Sequence, residues 1–435
     1  MKKGKVYLVG AGPGDLGLIT VKGLNCLKKA DVVIYDHLIE KRLLEEVPAR
    51  ARKLYVGKSA HSHSLEQEEI NQLLIEQGKQ GKTVVRLKGG DPFVLGRGGE
   101  EAEALASQGI PFEVVPGVSS AVAVPAYAGI PVTHRRLASS FTILSGHASA
   151  DKDMPTIAWD RTSTGADTLV ILMTVRNMRT IVARLIENGR SPSTPVAVIT
   201  DGTGHRQRTV VGQLGEIAHQ AEQANVQAPA VMVVGEVVRL REHLRWYDSH
   251  PLFGKRVLIT RPRARASQFG RLLMECGAVP IEIPAITIKP VLSTSELDQA
   301  ILALKDYHWI IFTSVNSVEV FCRRLDTLDK DARWLSHLRI GAIGPATAKA
   351  LANRGIRADC TPRKYTSRSL LNRLQQENIA GSRILLPRAD IAGKDLSKGL
   401  ARLGATVHGI TTYRTVPNTR STTQAKKMIN ATPTL

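Results

Sequence analysis

The chain has 435 residues, enough for roughly three domains, and its 43% hydrophobic content supports buried cores. Lys and Arg number 59 against 39 Asp and Glu, a formal charge of +20 that steers anionic partners toward the chain. Aromatics are only 4% and no basic run is interleaved with stacking rings, so a polyanionic small molecule fits the charge as well as nucleic acid does. Cys26, Cys276, Cys322 and Cys360 stand far apart with no CxxC pair, which leaves zinc and redox motifs unsupported and free thiols expected. No apolar run approaches the roughly 18 residues that span a bilayer, and a soluble cytoplasmic protein is expected.

Lys5–Val9 reads as a strand running into Gly10-Ala-Gly-Pro-Gly-Asp15, then an amphipathic helix through Thr20–Lys29. Val32–Tyr35 is a second strand, ending at Asp36 and His37. Gly12, Gly14 and Gly17 match G-x-G-x-x-G, with Asp36 near the distance of a ribose acid. Asp15 argues against a dinucleotide, because its carboxylate stands where a pyrophosphate would meet the helix. No G-K-[ST] follows, which removes the P-loop as well. Beyond Tyr55-Val-Gly-Lys58, His61 and His63 are two apart and form no metal pair of the H-x-x-x-H kind; a helix is expected over Glu66–Gln77.

The stretch Val84–Glu101 holds the densest chemistry. A β-branched run ends in Lys88 and is followed by Gly89, Gly90, Asp91 and Pro92, then by Gly96, Gly98 and Gly99. Paired glycines at a strand's carboxyl end let backbone approach a ligand, and open α/β sheets bind ligands at that end. Gly89–Asp91 reads as the floor of a small-molecule site, with a tight Asp-Pro connecting loop as the alternative. A helix (Glu100–Gln108) and a short strand (Phe112–Val115) lead to Pro116-Gly-Val-Ser-Ser120. Ser119 and Ser120 either hydrogen-bond a polar ligand or cap the small-residue segment Ala121–Ala128.

A second α/β domain is expected from Arg135 to about residue 245, with strands Phe141–Leu144, Thr168–Met173, Pro195–Thr200 and Ala230–Val234. Helices Thr180–Glu187 and Gln213–Gln223 lie between them, and Gly202 sits in another glycine turn at a strand's end. Residues 246–254 read as a linker. Behind it Val257–Pro290 and Ile384–Pro417 align without a gap: Arg261 with Arg388, Leu273 with Leu400, Ile286 with Tyr413. Such self-similarity predicts two related halves. The first copy is followed by strands ending at Ser314 and at Pro345. After the second copy, residues 418–435 are polar and read as a disordered tail. The domain holding both Val257–Ile259 and Ile384–Leu386 is therefore expected to lack sheet neighbours, leaving the module C-terminally incomplete and inactive.

A series of motifs stands in order along the chain: Val6-Tyr-Leu-Val-Gly-Ala-Gly-Pro-Gly-Asp15, Val56-Gly-Lys58, Gln67-Glu-Glu-Ile-Asn71, Val85-Arg-Leu-Lys-Gly-Gly-Asp-Pro-Phe93, Gly96-Arg-Gly-Gly-Glu-Glu101, Val115-Pro-Gly117, Gly129-Ile-Pro131 and Thr133-His-Arg135. By these motifs residues 4–247 resemble the uroporphyrinogen-III C-methyltransferases of the tetrapyrrole methylase fold. The resemblance implies two α/β domains (1–134 and 135–245) with S-adenosyl-L-methionine in the cleft between them. Pro13, Gly89, Gly90, Asp91, Val94, Ser119, Ser120, Met173 and Gly202 would line that cleft, with Asp36 as proton acceptor and Lys58 as proton donor. It also implies methylation of uroporphyrinogen III at C2 and C7 to precorrin-2, toward sirohaem or cobalamin, by a metal-free homodimer. Three positions depart from the family pattern: Ser59 for Arg, His61 for Gly, and Thr174 for the Gly after Met173.

Behind the linker stand Val257-Leu-Ile-Thr-Arg-Pro262, Phe312-Thr-Ser314, Ile343-Gly-Pro345-Ala-Thr347 and the segment reaching Tyr413. By these pieces residues 255–417 are similar to uroporphyrinogen-III synthase, which cyclises hydroxymethylbilane. Tyr413 stands where that family carries a tyrosine of catalytic weight. The synthase product is the methylase substrate, and its eight carboxylates account for the basic balance. The rival readings are another tetrapyrrole or diphthamide-type methylase and, from charge alone, a nucleic-acid binder.

Overall fold

The structure, a computed structural model, describes residues 4–57, 66–146, 157–261 and 263–419. The chain divides into two units: Met1–Val257 with Leu272–Val279, and Leu258–Arg271 with Pro280–Leu435.

The first unit opens with five short strands, four of them rich in Val, Ile or Leu and the third, an edge strand, polar (Arg-Lys-Leu-Tyr): β1 (Lys5–Gly10), β2 (Val32–Tyr35), β3 (Arg52–Tyr55), β4 (Thr83–Lys88) and β5 (Phe112–Val115). They form a parallel sheet in the order β3-β2-β4-β1-β5. Helices cover both faces, so the strands carry apolar residues in near-continuous runs. Val6, Leu8, Ile34 and Val84 pack with Leu74 of α2 (Gln67–Lys79) and Leu105 of α3 (Gly98–Ser107). Val9, Val33, Val85 and Leu87 pack with Leu27 of α1 (Val21–Lys29) on the other face. Arg86 and Lys88 interrupt this pattern and are nevertheless buried.

The second sheet contains β6 (Phe141–Ser145), β7 (Thr168–Leu172), β8 (Pro195–Thr200), β9 (Arg208–Gln213) and β10 (Ala230–Val234). Its order is β6-β7-β10-β8-β9, with β10 antiparallel to both neighbours. One face packs on Ala121 and Val124 of α4 (Ser120–Tyr127), whose small residues let it lie close to the strands. Strand β9 corrects the sequence reading, which assigned Gln213 to a helix. The run Arg-Thr-Val-Val-Gly-Gln pairs antiparallel along β8, and the helix begins only at Ile217.

In the synthase-like part, β11 (Arg256–Ile259) and β12 (Val279–Glu282) form a two-stranded sheet. Further on, β13 (Ile286–Pro290), β14 (Trp309–Phe312), β15 (Arg339–Ala342), β16 (Arg383–Ala389) and β17 (Thr406–Pro417) form a five-stranded sheet ordered β13-β17-β16-β14-β15. The internal repeat is visible here. Ile286 pairs with Pro417, Ile288 with Thr415 and Pro290 with Tyr413, so equivalent strands of the two copies run antiparallel about a local two-fold.

That ladder overturns the expected placement of Ile384–Leu386. The segment does not share an underfilled domain with Val257–Ile259; Ile384 pairs with Trp309 on one side and Val407 on the other. The copies join through the antiparallel β13–β17 ladder, which assigns β16 to the five-stranded sheet and leaves β11 beside β12. Asn418, placed in the expected tail, donates its N–H to the Ala285 carbonyl at 2.9 Å; residues 420–435 lie outside the described ones. Among the described residues no helix is long and apolar enough to cross a membrane.

Candidate cofactor and catalytic site

The carboxyl ends of β4, β1 and β5 meet through three glycines. A Cβ built on Gly10 would lie 2.5 Å from the Gly117 Cα and 2.6 Å from the Gly90 carbonyl oxygen. Any larger residue would therefore push the strand-end loops apart. Gly12 and Gly90 exchange backbone hydrogen bonds of 3.2 and 2.8 Å, and Gly90 has φ of 66°, a conformation that favours glycine. The structure thus brings Pro13, Gly89, Gly90 and the Ser119–Ser120 turn to one end of the sheet. Ser119 caps α4, its hydroxyl accepting from the Ala121 N–H at 3.2 Å.

Asp91 joins two of these loops. Its Oδ1 accepts from the Phe93 N–H at 2.8 Å and its Oδ2 from the Gly117 N–H at 2.9 Å. Each oxygen has one backbone donor and keeps capacity for another. Val94 is half-buried in the loop that follows, between exposed Phe93 and Leu95.

Asp36 ends β2 with its side chain 21% exposed. Its Oδ1 accepts from the Leu38 N–H at 3.1 Å, and its Oδ2 lies 3.3 Å from Arg86 Nη2. Arg86 in turn donates from Nε to Glu101 Oε1 at 3.0 Å, and Lys88 Nζ donates to the same oxygen at 2.8 Å. Glu101 is fully buried on α3. Two cations and two carboxylates therefore balance beneath the site. Burial, then the neighbouring Arg86 charge, lowers the Lys88 pKa against the pull of Glu101. Lys58, Ser59, His61 and His63 lie outside the described residues.

The second α/β domain supplies the opposite loops. Gly202 follows β8, and a Cβ there would collide with the Val124 side chain of α4. A Cβ on Gly14 would lie 2.9 Å from Thr203 Oγ1, so the turn after β1 and the loop after β8 are in contact. Met173 follows β7, 45% exposed, with φ of 58°. Leu95, Arg97, Met173, Asp201 and Thr203 are five of the eight described non-glycine residues with positive φ, and all lie in these strand-end loops. Strained backbone of this kind concentrates at functional sites.

In the five-stranded sheet, Tyr413 is buried on β17 and its hydroxyl lies 3.0 Å from Ser314 Oγ, at the carboxyl end of β14. Ser314 also caps the helix Val315–Thr327, accepting from the Ser317 N–H at 3.0 Å. Pro345 begins the helix after the neighbouring β15.

Residues 5–218 match the family of Tetrapyrrole (Corrin/Porphyrin) Methylases, and residues 267–434 match Uroporphyrinogen-III synthase HemD. A porphyrin biosynthesis protein HemD of Ruminiclostridium josui is 38% identical over 429 residues, 99% of this chain and 85% of that protein. A uroporphyrinogen-III C-methyltransferase of Methanocaldococcus jannaschii is 54% identical over 238 residues, covering 54% of this chain and 98% of that protein. The chain belongs to the tetrapyrrole methylase family. It carries a uroporphyrinogen-III synthase segment behind the methylase part. The uroporphyrin-III C-methyl transferase of Thermus thermophilus complexed with S-adenyl homocysteine is 41% identical, with a TM-score of 0.48, covering 55% of this chain and 100% of that one.

The buried Arg86–Glu101–Lys88 group of the methylase part is what the sequence reading missed. A signal existed: Arg86 and Lys88 are two apart in an apolar strand and must share one face of the sheet. That face is covered by α3, which makes an acid on α3 their natural partner.

Proposed function

We propose that this chain is an S-adenosyl-L-methionine-dependent uroporphyrinogen-III C-methyltransferase, adding methyl groups at C2 and C7 to give precorrin-2. The observation that carries the reading is the close backbone meeting of Gly10, Gly90 and Gly117 at the strand ends, bordered by Asp91, with the following Gly14 turn in contact with Thr203 beside Gly202. At Gly90 an added Cβ would have its nearest neighbour at 3.6 Å, so bare backbone there admits the edge of a flat ligand. The spare acceptor capacity of Asp91 suits an ammonium or ribose hydroxyls, and exposed Met173 offers a soft apolar contact. Pro13, Gly89, Val94, Ser119 and Ser120 complete the proposed donor site.

The chemistry needs a nucleophilic pyrrole carbon held in line with the sulfonium methyl. The C–S bond breaks as the new C–C bond forms, S-adenosyl-homocysteine leaves, and the ring retains a positive charge. Positioning accounts for much of such a rate. Each transfer loses one net proton: Asp36 accepts it from a bridging methylene, which neutralises the ring, and a proton that Lys58 delivers elsewhere is matched by a second one lost from the ring. Arg86 fixes the Asp36 carboxylate from below. We read the Ser314–Tyr413 end of the five-stranded sheet as the place where hydroxymethylbilane binds. The reading also carries a cytoplasmic homodimer formed through the methylase domains.

Incubation with uroporphyrinogen III and labelled S-adenosyl-methionine tests the main claim. Two added methyl groups by mass are expected; no transfer would remove the assignment. Isothermal titration is expected to show S-adenosyl-homocysteine binding, weakened by about 1–3 kcal/mol in Asp91→Ala. Unchanged affinity in that variant would take Asp91 out of the site.

A further inference from the structure

Three loops meet around Tyr127, the last residue of α4. Its hydroxyl donates to Asp15 Oδ2 at 2.8 Å, and its carbonyl accepts from Gln207 Nε2 at 3.2 Å. Gln207 is buried and its Oε1 accepts from the Thr203 N–H at 2.8 Å. Thr203 Oγ1 accepts from the Asp15 N–H at 3.1 Å, which closes the circuit. Asp15, Tyr127, Gln207 and Thr203 thus form a ring joining the turn after β1 to the loop after β8. Asp15 is two residues from Pro13, and Thr203 is next to Gly202.

Residues 246–254, which read as a linker, back this ring within the first unit. Tyr247 donates its hydroxyl to the Thr203 carbonyl at 3.0 Å. Trp246 and Tyr247 meet the Tyr127 ring edge-on, with centroids 5.1 and 4.7 Å away. The Trp246 indole donates to the Ala126 carbonyl at 2.9 Å. Burial first, and then the Asp15 carboxylate, push the Tyr127 phenol well above its ordinary pKa, so it remains a donor at working pH. Thr203 holds φ of 66° and Asp201 of 46°, conformations that persist only where the surroundings enforce them.

We propose that this ring sets the width of the methyl-donor cleft, with Tyr127 and Gln207 as positioning residues that hold the Pro13 wall against the Gly202 wall. The proposal rests on reading those two walls as the donor site. Apolar packing of Ala121, Val124, Ala128 and Ile130 on the second sheet is non-directional and does not by itself fix the loops at the cleft. Four hydrogen bonds in a closed circuit provide a directional element. Preorganisation of this kind is expressed in ligand affinity. The hydrogen bonds of Asp36 go to Leu38 and Arg86 and to none of the ring residues, so the ring is expected to act on donor binding and to leave the chemical step alone.

The test uses the full chain with Tyr127→Phe, which keeps the aromatic packing and removes the hydrogen bond to Asp15. The dissociation constant for S-adenosyl-homocysteine and the KM for S-adenosyl-methionine are each expected to rise about tenfold, as for one lost bond to a charged acceptor. At saturating donor, kcat stays within about twofold, and the KM for uroporphyrinogen III does not move. A merely structural role would lower Tm without this split. Tyr247→Phe, which releases the Thr203 carbonyl, is expected to move donor affinity in the same direction by about threefold, and it carries the test should Tyr127→Phe fold poorly. Unchanged donor affinity in a folded Tyr127→Phe, or in Tyr247→Phe where that variant carries the test, overturns the proposal, as does a fall in kcat alone. Val94→Ala with Met173→Ala separates the two claims. If that pair weakens S-adenosyl-homocysteine binding while Tyr127→Phe does not, the ring inference fails alone. If neither does, the donor-site reading has failed.

Discussion

Asp36 is held from two directions, by the Leu38 N–H and by Arg86, while its side chain stays partly open to solvent. If it is the proton acceptor, Asp36→Asn keeps the shape and the contact to Leu38 but loses the basic lone pair. Turnover is expected to fall by about 10²–10⁴-fold with S-adenosyl-homocysteine binding intact; near-normal turnover would return Asp36 to a structural role. Glu101 works differently. Removing it leaves Arg86 and Lys88 buried without their shared acceptor, and breaking a buried ion pair from one side costs about 3–5 kcal/mol. Glu101→Ala is therefore expected to shift the urea midpoint strongly, and a midpoint near that of the wild type would show that water replaces the carboxylate. At this scale the sequence disclosed the acids at strand ends, because position alone marks them. It concealed Glu101, whose significance depends on which face of α3 turns inward.

The segment 246–254 shows how an element is missed. Pro251 and Gly254 read as linker chemistry, and single aromatics such as Trp246 and Tyr247 have no period to announce packing. The structure ties the segment down with charge as well. Asp248, its side chain 8% exposed, takes Arg241 Nη2 at 2.6 Å and Arg245 Nε at 2.9 Å. Burial raises the Asp248 pKa, but the two guanidiniums outweigh it and hold the carboxyl below the ordinary range. A depressed acid pKa stabilises the fold above its unfolded value of about 4 and loses that contribution as pH falls through the folded value. Asp248→Asn is expected to cost about 1–2 kcal/mol at pH 7, the lower figure reflecting the solvent-screened, half-exposed Arg245. The difference from wild type is expected to shrink steadily below pH 4. A gap that stays constant with pH would mean that Asp248 acts by packing rather than by charge.

For the whole molecule, the repeat was legible in the sequence because a gapless alignment needs no structure. Its meaning was not, because the pairing of β13 with β17 is a contact across more than a hundred residues. That pairing makes the two copies unequal. β16 lies inside a sheet with cores on both faces, where Ile310, Phe312 and Leu385 meet Phe321 on one side and Ile311, Ile384 and Leu386 meet Leu370 and Leu400 on the other. Among the described residues β11 has only β12 beside it in its sheet, and the copy leaves Leu258 46%, Phe269 43%, Leu272 54% and Met274 46% exposed. Two strands rarely sustain themselves, whereas a five-stranded sheet with a filled core does. Stability should therefore differ between equivalent strands of the same repeat. Hydrogen exchange is expected to place the β14, β16 and β17 amides among the slowest of the synthase-like part, with β11 and β12 exchanging roughly 10- to 100-fold faster through local opening. Leu272→Gln with Met274→Gln, on the exposed apolar surface, is expected to reduce aggregation at unchanged Tm. Protection of β11 equal to that of β16, together with a Tm drop in the double variant, would show that those side chains are covered in solution by something other than the residues described, and the inequality of the two copies would be withdrawn.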